Sequence, residues 1–304
     1  MTAHDHAHVA ADDRRRLVVV LAITTGVLAV DLVGAFVSGS LALFADAGHM
    51  FTDVAGLVIA LFAAALVARP ATAARTWGYR RAEVLAATVQ AAVLLAVGVL
   101  VLVEGVRRLL DPPEVASTAM VVFGAVGLAG NLASMAVLNG RRAGNLNMRA
   151  AFLEVANDAL GSVAVLLAAL VIATTGWLRA DALVSLLIGV LILPRTLRLL
   201  RETTEVLLEA TPRGLDLDDV RRHLLEVPHV RAVHDLHASR IATDLPVLTA
   251  HVVVDDSCFH DGHVPQVLDQ LQACVAGHFP VAVEHSTFQL EPASHAGHES
   301  SSHP

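Results

Sequence analysis

Six long apolar stretches run through the first two thirds of the chain, and each is long enough to cross a lipid bilayer. A helix crosses about 30 Å of hydrocarbon with roughly 20 apolar residues. Because backbone groups in hydrocarbon must hydrogen-bond within their own segment, each stretch is predicted to be a helix. The sequence therefore predicts an all-α membrane domain over residues 17–200, with spans at approximately 17–38, 43–68, 82–107, 116–138, 150–174 and 178–199.

The composition agrees with a membrane protein. Of the 304 residues, 55% are hydrophobic and only 16% are charged, whereas about a quarter of a soluble domain is charged. The net charge of -8 arises largely in the C-terminal part of the chain and argues against a nucleic acid as partner. Two cysteines, Cys258 and Cys274, are too few and too late in the chain for a disulfide framework.

Arginines flank the predicted spans mostly on one side. Positive residues mark the cytoplasmic loops of membrane proteins, so both termini are predicted to face the cytoplasm, as in a multi-pass protein of the cell inner membrane. Arg107, Arg108 and Arg179 fall on the opposite side; the first two fit the rule poorly and are expected to snorkel to the interface. The arginines that set this orientation are Arg14, Arg15, Arg16, Arg69, Arg75, Arg80, Arg81, Arg141, Arg142, Arg149, Arg195, Arg198 and Arg201.

Residues 205–292 have the pattern of a small soluble domain. The apolar periodicity predicts the order α-β-β-α-β, and hence an α+β domain on the cytoplasmic side. Residues 1–16 and 293–304 contain histidines and are predicted to be disordered tails that collect metal loosely at most. The predicted elements are a helix at 216–227, strands at 230–240 and 247–254, a helix at 263–278 and a strand at 281–291.

Two pairs of ionisable residues lie inside the predicted spans. A charged residue at the bilayer centre costs about 2.5–3.5 kcal/mol on insertion scales, so each needs a partner or a task. His49 and Asp53 in the second span, and Glu154 and Asp158 in the fifth, are each spaced i,i+4, which places both members on one helix face. Two such helices facing each other present one imidazole and three carboxylates, which suits Zn²⁺ and also Co²⁺ or Cd²⁺. The alternative is a polar helix interface in which these groups pair with one another or with arginines.

Other polar residues occur in the spans. Asp46 lies near the start of the second span and is expected to face water. For the rest, a structural role in hydrogen bonding and a share in an ion pathway both remain open; they are Asp31, Gln90, Glu104, Asn131 and Asp181.

Around these residues the chain resembles the cation diffusion facilitator family of metal–proton antiporters. The resemblance is carried by Ser40–Asp53 in the second span, by Asn147–Ala151 and Asp158–Ser162 in the fifth, and by Val233–His237 and Glu284–Gln289 in the soluble domain. It extends from about residue 15 to residue 292. It implies six membrane helices, a cytosolic ferredoxin-like domain, a homodimer and proton-coupled export from the cytosol of a divalent transition metal, with zinc expected first and cobalt or cadmium also.

The sequence departs from the family pattern at two positions. Glu154 occupies a position at which zinc-specific members carry histidine, and related bacterial members with this change handle zinc, cobalt and cadmium. By resemblance, His234, His251 and His285 bind a regulatory metal at the dimer interface. In some members a carboxylate two residues after the last histidine bridges two metals, but here that position is Thr287. Possible substitutes are Asp255, His263 and Glu291, and the alternative is that the three histidines are simply exposed or hydrogen-bonded.

The expected ligands indicate how transport would be driven. Metal binding requires neutral histidine and ionised carboxylates, so metal and protons compete for one site, and His49 is the expected proton switch because histidine changes charge near neutral pH. The chain has no Gly-Lys-Ser/Thr phosphate loop for ATP. It also has no His-Glu-x-x-His motif, which argues against an intramembrane metalloprotease. The chain is predicted to be a transporter and not an enzyme. A channel or importer of the same architecture and a membrane-anchored metal sensor remain open alternatives.

Overall fold

The computed structural model describes residues 3–139 and 146–295, without the side chains of residues 3–15, 57, 60, 146–148 and 150. The chain divides into two compact units. The first comprises Met1–Leu61 and Ala87–Leu200, and the second comprises Phe62–Ala86 and Arg201–Pro304. Residues 296–304, which include His298 of the predicted C-terminal tail, and the loop residues Arg141 and Arg142 lie outside the described residues.

Six long helices carry the apolar stretches. All six have the length and the composition needed to cross a membrane, which confirms the predicted number of spans. Large apolar side chains such as Phe36, which is 80% exposed, cover their outer surface, as expected of helices that face lipid. The helices are α1 (Ala3–Ser38), α2 (Leu41–Val67), α3 (Ala82–Leu110), α4 (Ser117–Asn139), α5 (Leu146–Thr175) and α6 (Arg179–Leu207).

The first helix begins at Ala3, well before the apolar stretch. The described residues of the N-terminal tail are therefore helical, and the prediction that this tail is disordered is wrong. The reason lies in the local sequence, since neither proline nor glycine separates Ala3 from Leu17, and alanine and arginine are strong helix formers. The helix ends at Ser38, before Gly39, whose φ of 70° is a left-handed conformation that glycine adopts without strain.

Small residues allow close packing in the first unit, where α4 contacts both α1 and α5. A Cβ atom added at Gly127 of α4 would lie 3.0 Å from Asp31 Oδ1, and one added at Gly161 of α5 would lie 2.9 Å from Asp46 Oδ1. Asp46 is only 3% exposed, so the expectation that it faces water is wrong. The missing side chain at Gly161 lets α5 approach this carboxylate and cover it.

The second unit contains a three-stranded sheet with helices packed on it. The strand order is β1-β2-β3, with β1 and β2 antiparallel and β2 and β3 parallel. This confirms the predicted α-β-β-α-β order, to which the structure adds a one-turn helix, α8. The elements are α7 (Leu217–Leu225), β1 (Val230–Ala242), β2 (Leu245–Val254), α8 (Cys258–Asp261), α9 (Val264–Gly277) and β3 (His285–Pro292).

Buried aliphatic side chains from the sheet and from α7 and α9 form one core in this unit, with Leu224, Val252 and Leu271 among its fully enclosed members. The last strand starts four residues later than the sequence predicts. Val283 is buried in this core and its N–H donates to Val275 O of α9, so residues 281–284 pack against the helix and do not pair with β2.

Candidate metal sites

Two helices of the first unit bring a histidine and two carboxylates together. His49 and Asp53 lie one turn apart on α2, and Asp158 lies on α5; their nearest ligand atoms all fall within 4.8 Å of one another. His49 Nε2 is 3.5 Å from Asp53 Oδ2 and 3.9 Å from Asp158 Oδ1. These separations leave room for a cation to be bound by all three residues after small side-chain adjustments. The structure therefore groups three of the four residues named from the sequence.

The fourth residue, Glu154, borders the same site but is not part of this group. It lines a cavity of about 460 Å³ together with Asp53, Asp158 and Gln90. Glu154 is half-buried and lies one helical turn before Asp158. Glu154 therefore borders a cavity that two of the three grouped residues, Asp53 and Asp158, also line.

Several polar atoms of this group are buried without a hydrogen-bond partner among the described residues. They are His49 Nδ1, Asp53 Oδ2 and Asp158 Oδ1. Buried polar atoms in folded proteins almost always have a partner, and leaving one unpaired costs about 1–3 kcal/mol. Two of these atoms, Asp53 Oδ2 and Asp158 Oδ1, face His49 Nε2, which is an arrangement that suits a bound cation.

Two further residues near this group were not assigned to the site from the sequence. Gln90 of α3 donates from Nε2 to Thr52 O at 3.2 Å, and it packs so closely on Gly56 that a Cβ there would lie 2.0 Å from Gln90 Nε2. Arg195 of α6 is near enough for its positive charge to act on Asp53 and Asp158. The only sign of Gln90 in the sequence is that it is a lone glutamine in an apolar span. Arg195 looks in the sequence like one of the arginines that flank the spans.

A second group lies in the sheet of the second unit. His234 of β1, His251 of β2 and Glu291 of β3 have ligand atoms within 4.8 Å of one another. His234 Nε2 is 2.6 Å from Glu291 Oε1, and the two histidine rings have centroids 5.2 Å apart. His234 pairs directly with His251, and Glu291 pairs with Val253, two residues along β2 on the same face. Each strand thus contributes one side chain.

The structure does not bring His285 into this group. His285 pairs with Val247 in the parallel register. Val247 is four residues from His251 along β2, so His285 lies ~13 Å along the sheet from His251 at about 3.3 Å per residue. Its ring instead contacts Trp77 edge-on, with centroids 4.8 Å apart. The expectation that His285 joins His234 and His251 is therefore not met in a single chain, because the register of β3 places it further along the sheet.

Of the three possible substitutes for the missing family carboxylate, only Glu291 reaches the histidines. Asp255 is engaged by Arg231, whose hydrogen bond holds the pKa of this carboxyl below its usual range, with a further contribution from His229. His263 contacts Asp261, with Nδ1 2.7 Å from Oδ1.

Glu291 is 2% exposed, and a buried carboxyl group needs a cationic or hydrogen-bonding partner, which His234 supplies. Two imidazoles and one carboxylate form a donor set that fits Zn²⁺. Burial raises the pKa of the Cys258 and Cys274 thiols, and both side chains belong to the buried core of this unit.

Comparison with known proteins covers both units. Residues 17–208 match the cation efflux transmembrane domain, and residues 212–293 match the cytoplasmic domain of cation efflux proteins. The metal cation efflux system protein CzcD of Cupriavidus metallidurans is 40% identical over 293 residues, which cover 96% of this chain and 92% of the relative. The zinc transporter ZitB of Escherichia coli is 40% identical over 296 residues, covering 95% and 92%. A cadmium, cobalt and zinc/H(+)-K(+) antiporter of Bacillus velezensis is 33% identical over 294 residues, covering 96% and 93%.

Proposed function

We propose a transport function for this chain because it belongs to the cation efflux, or cation diffusion facilitator, family of membrane metal transporters. The proposed function is the export of a divalent transition metal ion from the cytosol in exchange for protons. Zn²⁺ is the proposed principal substrate, with Co²⁺ and Cd²⁺ as further substrates. The observation that carries this proposal is the group of His49, Asp53 and Asp158, which places unpaired ligand atoms between two membrane helices. Glu154 is the proposed fourth ligand, since it borders the same cavity.

Charge explains why such a site exchanges metal for protons. With neutral His49, the three carboxylates of Asp53, Glu154 and Asp158 carry three negative charges, and a divalent ion leaves one of them, which Arg195 offsets from nearby. Without metal, protons must take over this neutralisation, because isolated buried charges are costly. Metal and protons thus occupy the site alternately. Metal enters from the cytosol, and protons arriving from the other side displace it, helped by about 2.3 kcal/mol per charge per 100 mV of membrane potential.

The donor set also supports the proposed substrate range. One imidazole and three carboxylates form a harder ligand set than two imidazoles and two carboxylates, so it discriminates less sharply among borderline divalent metals. The names of the relatives point the same way, since they mention zinc, or cadmium, cobalt and zinc.

The second unit is proposed to act on the cytosolic side as a dimerisation and regulatory domain. Its match to the cytoplasmic domain of cation efflux proteins and the distribution of arginines support this placement, with both termini in the cytosol and the helices in the inner membrane. His234, His251 and Glu291 would hold a regulatory Zn²⁺ there, a role that tunes transport without forming part of the path.

Transport by the purified protein in liposomes tests this function. Zn²⁺, Co²⁺ and Cd²⁺ uptake is measured with and without an opposing proton gradient, and with and without a K⁺ gradient, in competition series. We expect uptake that rises with the proton gradient and is lost in Asp53→Ala, while empty liposomes give the background. Uptake that ignores the proton gradient would indicate a channel, and metal binding without uptake would indicate a sensor.

A further inference from the structure

A buried carboxylate at the start of α6 binds the start of α2. Asp181 is 1% exposed. Its Oδ2 accepts the N–H of Leu41 at 2.8 Å, and its Oδ1 accepts the N–H of Ala42 at 3.1 Å and the hydroxyl of Ser40 at 2.5 Å. The Ser40 hydroxyl oxygen in turn accepts the N–H of Leu43 at 3.2 Å. Asp181 and Ser40 together therefore cap α2.

This cap differs from the usual arrangement at a helix start. The first N–H groups of a helix have no acceptor inside the helix, and the preceding residue normally supplies one. Here Ser40 is in that position but reaches only Leu43. The two earlier N–H groups depend on a carboxylate that lies about 140 residues later in the chain, on a different helix. Its negative charge also complements the positive end of the α2 dipole.

An arginine of α3 extends the same contact. Arg108 donates from Nη1 to Gly39 O at 2.6 Å and from Nε to Glu104 Oε1 at 3.1 Å, and its Nη1 lies 3.8 Å from Asp181 Oδ2. The turn between α1 and α2, the start of α2, the end of α3 and the start of α6 are thus held together. These contacts also account for Arg108, which the distribution of positive charge alone does not explain.

We propose that Asp181 is a positioning residue for metal transport, which fixes α2 against α6 and thereby sets where His49 and Asp53 stand relative to Asp158. The two α2 ligands follow Leu41 by eight and twelve residues, ~12 and ~18 Å along one continuous helix at about 1.5 Å per residue. A tilt at the start of α2 therefore displaces both ligands. This inference depends on the proposed metal site.

The position of α2 sets the size of that site, because Asp158 is supplied by α5. Ligands held close together suit the smaller Zn²⁺ ion, whereas a wider spacing is tolerated better by the larger Cd²⁺ ion. Weakening the cap should therefore reduce apparent zinc affinity more than cadmium affinity. A change of relative preference is the signature of altered geometry, since loss of folded protein lowers both fluxes equally.

The test compares Asp181→Asn with the parental full-length chain in liposomes. Asparagine keeps the size but turns an amide NH₂ towards backbone N–H donors and removes the charge. We expect the KM for zinc to rise about tenfold, which corresponds to about 1.4 kcal/mol of lost zinc binding. The KM for cadmium should rise less, and the maximal rate per folded protein should stay near the parental value. Asp181→Glu, which keeps the charge, should give a zinc KM between the parental value and that of Asp181→Asn.

A matched control and a second variant keep the test decisive. Ser185→Ala removes another buried hydroxyl of α6, which donates to Asp181 O within its own helix at 2.7 Å, and should leave both KM values unchanged. Ser40→Ala removes one donor to Asp181 and should shift the zinc KM in the same direction. Combined with Asp181→Asn it should add little, because both act through one cap.

Three outcomes would overturn the inference. One is an unchanged zinc KM and an unchanged zinc-to-cadmium ratio in Asp181→Asn. Another is an equal shift in Ser185→Ala. If Asp181→Asn does not insert, parental kinetics in Ser40→Ala would be the third. Absence of metal uptake by the parental protein would instead contradict the proposed function, so the two failures are distinguishable.

Discussion

Replacing Asp158 by asparagine separates metal binding from folding in this protein. Asp158 is 4% exposed, and its Oδ1 faces His49 Nε2 at 3.9 Å without a hydrogen-bond partner among the described residues. Asparagine has nearly the same shape, so Asp158→Asn removes the charge and leaves the packing of α5 intact. A cation loses a charged ligand, whereas the apo protein loses a group that must take up a proton when no metal is bound.

The substitution is expected to weaken metal binding but not to lower the stability of the metal-free protein. Removing a group that merely orients a metal ligand costs about 10–100-fold in metal affinity, so removing the charge of a ligand itself should cost at least ~100-fold, or ~2.7 kcal/mol. Without metal, the parental carboxyl group must be neutralised by a proton, whereas asparagine is neutral and carries no cost of burying a charge. The apo variant should therefore be as stable as the parental protein or more stable.

Two measurements on one preparation check this reasoning. Proteoliposome uptake should fall to the background in Asp158→Asn, while thermal unfolding in detergent should show an equal or higher Tm without metal and a smaller rise on adding Zn²⁺. Asn157→Ala, at the adjacent exposed position, should match the parental protein in both. Parental uptake by Asp158→Asn would refute the site, and a lower apo Tm would show that Asp158 is a structural residue.

Three further changes test other parts of the structure. Glu154→His should narrow transport towards Zn²⁺ and alter its dependence on pH between about 6 and 8; unchanged selectivity and pH profile would mean that Glu154 is not a ligand. In a full-length chain that lacks the membrane ligands, Glu291→Gln should weaken Zn²⁺ binding measured by calorimetry, while His285→Ala should not; the reverse result would contradict the grouping seen in the sheet. The hydrogen bond from Arg231 holds the pKa of Asp255 below its usual value. The ionised Asp255 carboxylate therefore stabilises the folded protein above about pH 4, and this stabilisation is lost as the pH falls below that value. Asp255→Asn should therefore flatten the fall of Tm in that acid range, and an unchanged acid profile would count against the ion pair.

The parts of the fold that the sequence predicts are those governed by length and period. Bilayer thickness fixes the length of a span, so six apolar stretches give six helices. Alternation over period two gives the strands of the second unit. The spacing of His49 from Asp53 also places both on one face of α2, because an α-helix repeats every 3.6 residues. The proximity of this pair to Asp158 requires in addition that α2 and α5 face each other, which the helix period does not determine.

The features that the sequence does not predict depend on contacts between distant residues. Asp46 reads as a residue near a helix end, and only the close approach of α5 at Gly161 buries it. Asp181 reads as an isolated polar residue, and nothing near it in sequence shows that it caps α2. Likewise, a strand pattern gives the alternation of faces but does not give the register between β2 and β3.

That register decides where the metal ligands of the second unit meet. Thr287 pairs with Thr249, whereas Glu291 pairs with Val253 and lies beside His251 and His234. Glu291 lies four residues after Thr287 on β3, so it is on the same face of the sheet but ~13 Å further along the strand. The two positions therefore lie on opposite sides of His251 along the sheet. A metal ion held by His234, His251 and Glu291 would connect all three strands of one chain. Such an ion would stabilise the sheet of one chain directly, because that chain supplies all three of these ligands.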